Sequence, residues 1–146
     1  MELPFHPESV TEEVLQNDFV SIINCQSDSC ILIKWKRQID FEERKEIFLW
    51  AYQFCKDNEV KNWLIDDEEI YIITSEERNW VANEWTEIVA DSGIRKIAVY
   101  VPEYNYNALA NQTDFTQTAQ NNYQRHGTTE HEVFTDYQTA MHWIRS

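Results

Sequence analysis

Two glycines, Gly93 and Gly127, are all the chain has in 146 residues. Neither a dinucleotide fingerprint nor a Walker phosphate loop can be built from them, because each needs several close-approach glycines. No nucleotide cofactor is expected, and no residue pattern asks for any other cofactor. Cysteine is scarce too. Cys25, Cys30 and Cys55 are odd in number and lack metal-ligand spacing, which points to reduced thiols in a cytoplasmic protein. Cys25 and Cys30 flank Gln26-Ser27-Asp28-Ser29 and would face each other across a hairpin, either as small strand residues or as a redox pair. Positive charge is short: 12 Lys and Arg stand against 26 Asp and Glu, a formal charge of −14. Such a chain repels phosphate backbones and anionic bilayers, so nucleic acid and membrane surfaces are poor partners. Long apolar runs are missing as well. No run approaches the ~18 residues of a membrane span, and the start, Met1 to His6, lacks the basic and apolar regions of a signal peptide, so the protein is expected to stay where it is made.

Aromatic residues are abundant, with six Trp, seven Tyr and seven Phe, and 42% of the chain is hydrophobic. That is enough apolar surface for one core, and the length suits one domain. Residues 1–17 are polar, with Pro4 and Pro7, and are expected to form a lead-in arm in which Ser9 to Glu12 cap a short helical turn through Glu13, Val14 and Leu15. Phe19 to Cys25 and Cys30 to Trp35 are β-branched runs around a polar turn, a hairpin with Ile31, Ile33 and Trp35 on one face and Leu32 and Lys34 on the other. Lys34-Trp35-Lys36-Arg37 reads as the solvated end of its second strand.

Asp40 and Glu43 open a helix running to about Asp57, with Ile47, Trp50, Ala51, Phe54 and Cys55 on one side. Trp63-Leu64-Ile65 is a buried strand closed by Asp66-Asp67-Glu68-Glu69. Thr74 and Glu77 have capping-box spacing before a helix striped with Trp80, Val81, Trp85, Ile88 and Val89, and Gly93 closes it in a left-handed conformation. Lys96 to Val101 is a strand ended by Pro102. Residues 105–124 predict a helix with a broken stripe of Leu109, Phe115, Ala119 and Tyr123, ended by Gly127, and a strand Glu132 to Thr135 precedes a terminal helix capped by Asp136. The order ββαβαβαβα predicts an α/β domain: a mostly parallel five-stranded sheet with an opening hairpin and helices packed on it.

Ligands of such sheets sit beyond the carboxyl ends of the strands. Asp66, Asp67, Glu68 and Glu69 lie there, either as solvated acids or as oxygen ligands for a divalent cation, although EF-hand spacing is missing. Thr74 and Ser75 are a helix cap or a phosphate acceptor. Trp63, Trp80 and Trp85 are read as core. Tyr104 and Tyr106, with Tyr100 before them, fall in a polar loop after Pro102 and suit a ligand pocket, a partner surface or simple packing. His126, Glu130 and His131 are close in sequence, but histidines five apart do not share a helical face, and they are read as surface loop residues. No Gly-x-Ser-x-Gly elbow is present and no cysteine has an activating histidine beside it, so no metal site and no catalytic nucleophile are expected.

With this order of elements, the stretch from Phe19 to Ile144 resembles the STAS and SEC14-like group, the bacterial domains related to anti-sigma-factor antagonists. The carriers of the resemblance are the opening hairpin, Trp63-Leu64-Ile65-Asp66-Asp67, the Trp80 and Trp85 helix, Ile97 to Pro102, and Val133-Phe134 followed by Ala140 to Ile144. It implies a regulatory module that binds a partner protein. In the antagonist branch the central strand leads into an Asp-Ser-Ser-Gly-like motif switched by phosphorylation. Here Asp66 matches the aspartate, but Asp67, Glu68 and Glu69 occupy the switch positions and are already negative, with Ser75 a distant substitute. The leading expectation is a non-catalytic module, monomeric or homodimeric, using Asp66, Asp67, Glu68, Thr74 and Ser75 and the Trp80 helix. The alternative is a carrier or sensor of a small apolar ligand or lipid held near Tyr100, Tyr104 and Tyr106. An enzyme using Asp66 and Asp67 ranks last, since no partner base, metal ligand or cofactor loop accompanies them.

Overall fold

Alternating β-branched residues need a neighbour for their backbone groups as well as a core for one face, and the first strand pairs are built on both. A computed structural model of the chain describes residues 3–108 and 113–146, with the side chains of 106–108, 113 and 114 outside the description. Strands β2 (Val20–Cys25) and β3 (Cys30–Trp35) form the expected hairpin, with Cys25 directly opposite Cys30. The chain before them is not an arm with a helical turn. It is a strand, β1 (Thr11–Gln16), antiparallel to β2 with a register shift between Glu13 and Leu15. Thr-Glu-Glu-Val-Leu-Gln has no strong local preference, and the open edge of β2 offers hydrogen-bond partners that an isolated turn lacks.

Strands β4 (Asn62–Asp66), β5 (Lys96–Tyr100) and β6 (Glu130–Phe134) continue the sheet in parallel from β3. The expected five-stranded sheet therefore has six strands, in the order β1-β2-β3-β4-β5-β6, with an antiparallel start and a parallel remainder. Each parallel crossover steps to the next strand in the same direction, and the right-handed rule sends all of them to one face. That face is covered by helix α1 (Phe41–Asn58), by α2 (Ser75–Asn79) with its continuation, and by α5 (Thr113–His126). The terminal helix α6 (Tyr137–Arg145) covers the other face with Ala140, Met141 and Ile144 on Leu32, Leu64 and Ala98.

Helix α1 begins where its capping box predicts: Asp40 Oδ1 accepts from the Glu43 amide at 2.8 Å and Glu43 Oε1 from the Asp40 amide at 3.0 Å. Its buried side is Arg44, Ile47, Phe48, Ala51 and Cys55, while Trp50 and Phe54 are half-buried and stack on each other at 5.3 Å.

Helix α2 passes into a π-helical stretch, Trp80–Trp85, and then α3 (Thr86–Val89). In an α-helix residues five apart diverge by about 140°. A π-helix bonds i to i+5 and stands them over one another. The widened turn thus delivers both tryptophans to the core, where their rings stack at 6.0 Å and Trp85 meets Trp63 and Phe48 at 5.1 Å each.

Both glycines have structural reasons. Gly93 has φ +84°, the left-handed conformation expected of it, and a Cβ on Gly127 would lie 3.0 to 3.2 Å from Cβ, Cα and the carbonyl of Ala90, where α5 ends against the end of α3. Tyr104 and Tyr106, expected in a loop, fall on helix α4 (Glu103–Ala108), whose residues from 105 onward agree with the helix expected over 105–124; Leu109 lies outside the described residues, and α5 carries Ala119 and Tyr123 into the core. His131 is not a surface loop residue. It sits on β6 with its ring stacked on Tyr123 at 5.4 Å and its Nδ1 buried without a partner, and burial pushes its pKa down to about 4. No described helix is long and apolar enough to cross a membrane.

Candidate functional site

Strands β3 to β6 all end at one edge of the molecule, and their register sets Lys34, Asp66, Tyr100 and Phe134 in one row. The row lies on the α6 face, because Leu32, Leu64 and Ala98, two residues earlier in each strand, belong to the core under α6. Asp66 is fully buried there. Its Oδ2 accepts from Lys34 Nζ at 3.1 Å and from the Tyr137 hydroxyl, and its Oδ1 accepts from the Glu68 amide at 2.9 Å. Tyr137 is the first residue of α6, held in place by Asp136, whose Oδ1 accepts from the Thr139 amide at 2.8 Å. The Tyr137 ring stacks on Tyr100 at 4.5 Å, and burial together with its bond to the Asp66 carboxylate pushes its phenol well up.

Asp67, the next residue, turns to the opposite face. Its Oδ1 accepts from Trp35 Nε1 at 2.9 Å, and its amide donates to the Tyr100 carbonyl at 2.9 Å. Trp35 is fully buried, so the expected solvated stretch Lys34 to Arg37 is solvated only at Lys36 and Arg37. Burial raises the Asp67 carboxyl to about 6, with Asp66 and Glu77 pushing the same way and the nearby Arg44 and the Trp35 bond opposing. Behind it Arg44 Nε donates to Glu77 Oε2 at 2.8 Å in a buried ion pair, while Arg44 Nη2 is buried without a partner. Asp66 and Asp67 therefore point to opposite faces with their own donors, and do not converge on a shared cation or proton. Among the described residues no group of three or more His, Cys, Asp or Glu side chains is arranged to hold a metal ion.

Beyond the strand end the chain from Asp67 to Thr74 is tied down. The Ile70 amide donates to the Asp67 carbonyl at 3.0 Å and the Ile70 side chain is fully buried. Gln38 bridges to it from the β3–α1 connection: its Oε1 accepts from the amides of Tyr71 and Ile72 at 2.8 and 3.1 Å, and its Nε2 donates to the Ile72 carbonyl at 2.8 Å. Asn105 of α4 is buried and donates to the Glu68 carbonyl at 2.7 Å. The backbone is thus fixed while the large side chains point out, with Tyr71 56% exposed and Ile72 65% exposed. Tyr104 on α4 is 62% exposed.

Thr74 is a cap. Its Oγ1 accepts from the Glu77 amide at 3.2 Å and donates to Glu77 Oε1 at 3.2 Å, so a carboxylate already occupies the place a phosphate would take. Ser75 is exposed, and its Oγ accepts from Arg78 Nη2 at 3.4 Å. The structure brings Asp66, Glu68 and Tyr100 together, sets Tyr104 beside them, and turns Asp67 away. The side chain of Tyr106 lies outside the described residues.

Sequence reasoning missed Gln38, Lys34, Tyr137 and the Arg44–Glu77 pair as parts of this end of the molecule. The only local signal was that Arg44 lies on the inner, apolar side of α1, where an unpaired charge has no place. An open groove lined by His6, Glu8, Ser9, Val10, Gln26 and Ser27 lies at the other end of the sheet, beside the β2–β3 turn. No family model, no curated protein and no solved structure matches the chain at a significant level.

Proposed function

We propose that the protein is a non-catalytic interaction module that engages a partner protein through the platform beyond β4, formed by Tyr71, Ile72 and Tyr104 with Glu68 and Glu69. The observation that carries this reading is the Gln38 clamp, which spends its hydrogen bonds on holding the backbone at two large side chains that water surrounds. Exposed apolar side chains on a preorganised backbone lose little conformational entropy on binding, which is what a recognition surface requires. A regulatory module of the STAS-like kind, the family the chain resembles, fits this reading. The carboxylates that an enzyme would use are engaged: Asp66 by Lys34, Tyr137 and the Glu68 amide, and Asp67 by Trp35.

Photo-crosslinking tests the proposal. A benzoylphenylalanine placed at Tyr71 or Tyr104 is expected to give a discrete hetero-adduct in the source cells, and the same group at Glu12 on β1 is not. Adducts at Glu12 with none at Tyr71 or Tyr104 would move the interaction to the sheet edge and refute the assignment of this surface.

A further inference from the structure

Resting on that reading, the surroundings of the platform name the partner's chemistry. The Tyr100 phenol is raised by burial and by the charges of Glu68, Asp66 and Asp136 with Tyr104 close by, and the Tyr104 phenol by partial loss of water and by Glu68, Tyr71, Glu69 and Asp66. The geometry sets these groups together: Tyr100 is the register partner of Asp66, Asn105 beside Tyr104 donates to the Glu68 carbonyl at 2.7 Å, and Glu69 and Tyr71 flank the buried Ile70 on the same tied-down turn. Lys34, the cation the structure sets among them, is already used by Asp66 at 3.1 Å and Glu68 at 3.7 Å. Aromatic faces attract cations through their quadrupole, arginine above all, and carboxylates beside them add a charge-assisted hydrogen bond.

A second copy of this chain is a poor occupant, because it would bring Glu68 and Glu69 against a molecule of net charge −14. We propose that the platform receives an arginine-bearing segment of a partner protein, its guanidinium laid against Tyr71 and Tyr104 and paired with Glu68 or Glu69, and an adjoining apolar side chain resting on Ile72. Steering by the overall negative charge brings such a segment in, and the tyrosines discriminate it from a mere polycation.

The probe is a short fluorescein-labelled peptide of alternating arginine and leucine, followed by anisotropy, with a glutamine–leucine peptide as the neutral counterpart. The variants are Tyr71→Ala/Tyr104→Ala, Glu68→Gln/Glu69→Gln, and the remote exposed pair Glu12→Gln/Glu132→Gln, which removes the same charge elsewhere. The expected result is that wild type binds the arginine peptide and not the neutral one. The tyrosine and Glu68/Glu69 variants should each weaken binding by about tenfold or more, and the remote pair by about twofold or less. Equal losses in all three variants would mean general attraction to a polyanion and overturn the inference. Binding of the neutral peptide as tight as the arginine peptide, lost with the tyrosines, would overturn the cationic chemistry while the platform stands. No binding of either peptide by wild type would also overturn it, and the crosslinking experiment then decides independently whether the platform is an interaction surface.

Discussion

Glu77→Gln should be among the most damaging conservative changes in the molecule. Arg44 is 4% exposed and Glu77 1% exposed, with 2.8 Å between Nε and Oε2, so the pair is sealed from water. Arg44 Nη2 already lacks a partner, the rings of Trp35 at 5.7 Å and Phe48 at 5.8 Å bound the guanidinium, and the nearby Asp67 carboxyl makes no hydrogen bond to it. Glutamine keeps the shape of the side chain and can still accept from Thr74 through Oε1, but its Nε2 then faces the Arg44 Nε–H donor to donor, so the change removes the acceptor together with the charge. Leaving one buried ion without its counter-charge costs about 3 to 5 kcal/mol. At about 2.1 cal/mol/K per residue, unfolding a chain of 146 residues carries roughly 0.3 kcal/mol/K of entropy, and the midpoint should fall by roughly 10 to 16 °C. Circular dichroism melts and urea titrations read both quantities. Arg44→Met/Glu77→Gln, which removes both charges and keeps the cap, should recover to within about 2 kcal/mol of wild type, because neutral replacement of a buried pair is tolerated. A single-variant loss below about 1 kcal/mol, or a double variant as unstable as the single, would refute the claim that an uncompensated buried charge controls this site.

Asp67 titrates near 6 in the folded protein against 3.8 ordinarily, so between those values the folded state holds a proton that the unfolded state has released. Stability contributed by this group is present below about pH 4 and is lost as the pH rises to about 6, by up to ~3 kcal/mol at about 1.4 kcal/mol per pKa unit. Asp67→Asn should remove that fall, seen as a gain over wild type that grows across this window in urea midpoints and then levels; parallel pH profiles would refute it. Gly127→Ala should cost about 1 to 3 kcal/mol, because its methyl meets the backbone of Ala90 at 3.1 to 3.2 Å, whereas Gly93→Ala, with nothing within 4 Å of the added atom, should cost about 1 kcal/mol from φ +84° alone. Equal losses would mean that the close approach at Gly127 is relieved by movement. Gln38→Ala should change global stability by less than about 1 kcal/mol, since water replaces its bonds, yet speed amide exchange at Tyr71 and Ile72, which hydrogen exchange reads directly.

The sequence by itself determined whatever depends on neighbours along the chain. Asp40 with Glu43 and Thr74 with Glu77 form both capping boxes, because a cap needs only residues three apart. Apolar alternation in Ile31-Leu32-Ile33-Lys34-Trp35 settled which side chains face which layer, and the need for φ +84° settled Gly93. Tertiary structure decided the rest. Thr11–Gln16 became a strand because β2 had a free edge, and Trp80 and Trp85 reached one core because a π-turn realigned residues five apart. The site is the least local feature of all. Lys34 and Tyr137 meet Asp66 from 32 and 71 residues away, Arg44 meets Glu77 across 33, and Gln38 reaches Tyr71 across 33. Local patterns record what each strand and helix is, but which side chains converge where the strands end depends on the pairing order of the sheet, and that order is an outcome of packing, not of any one segment.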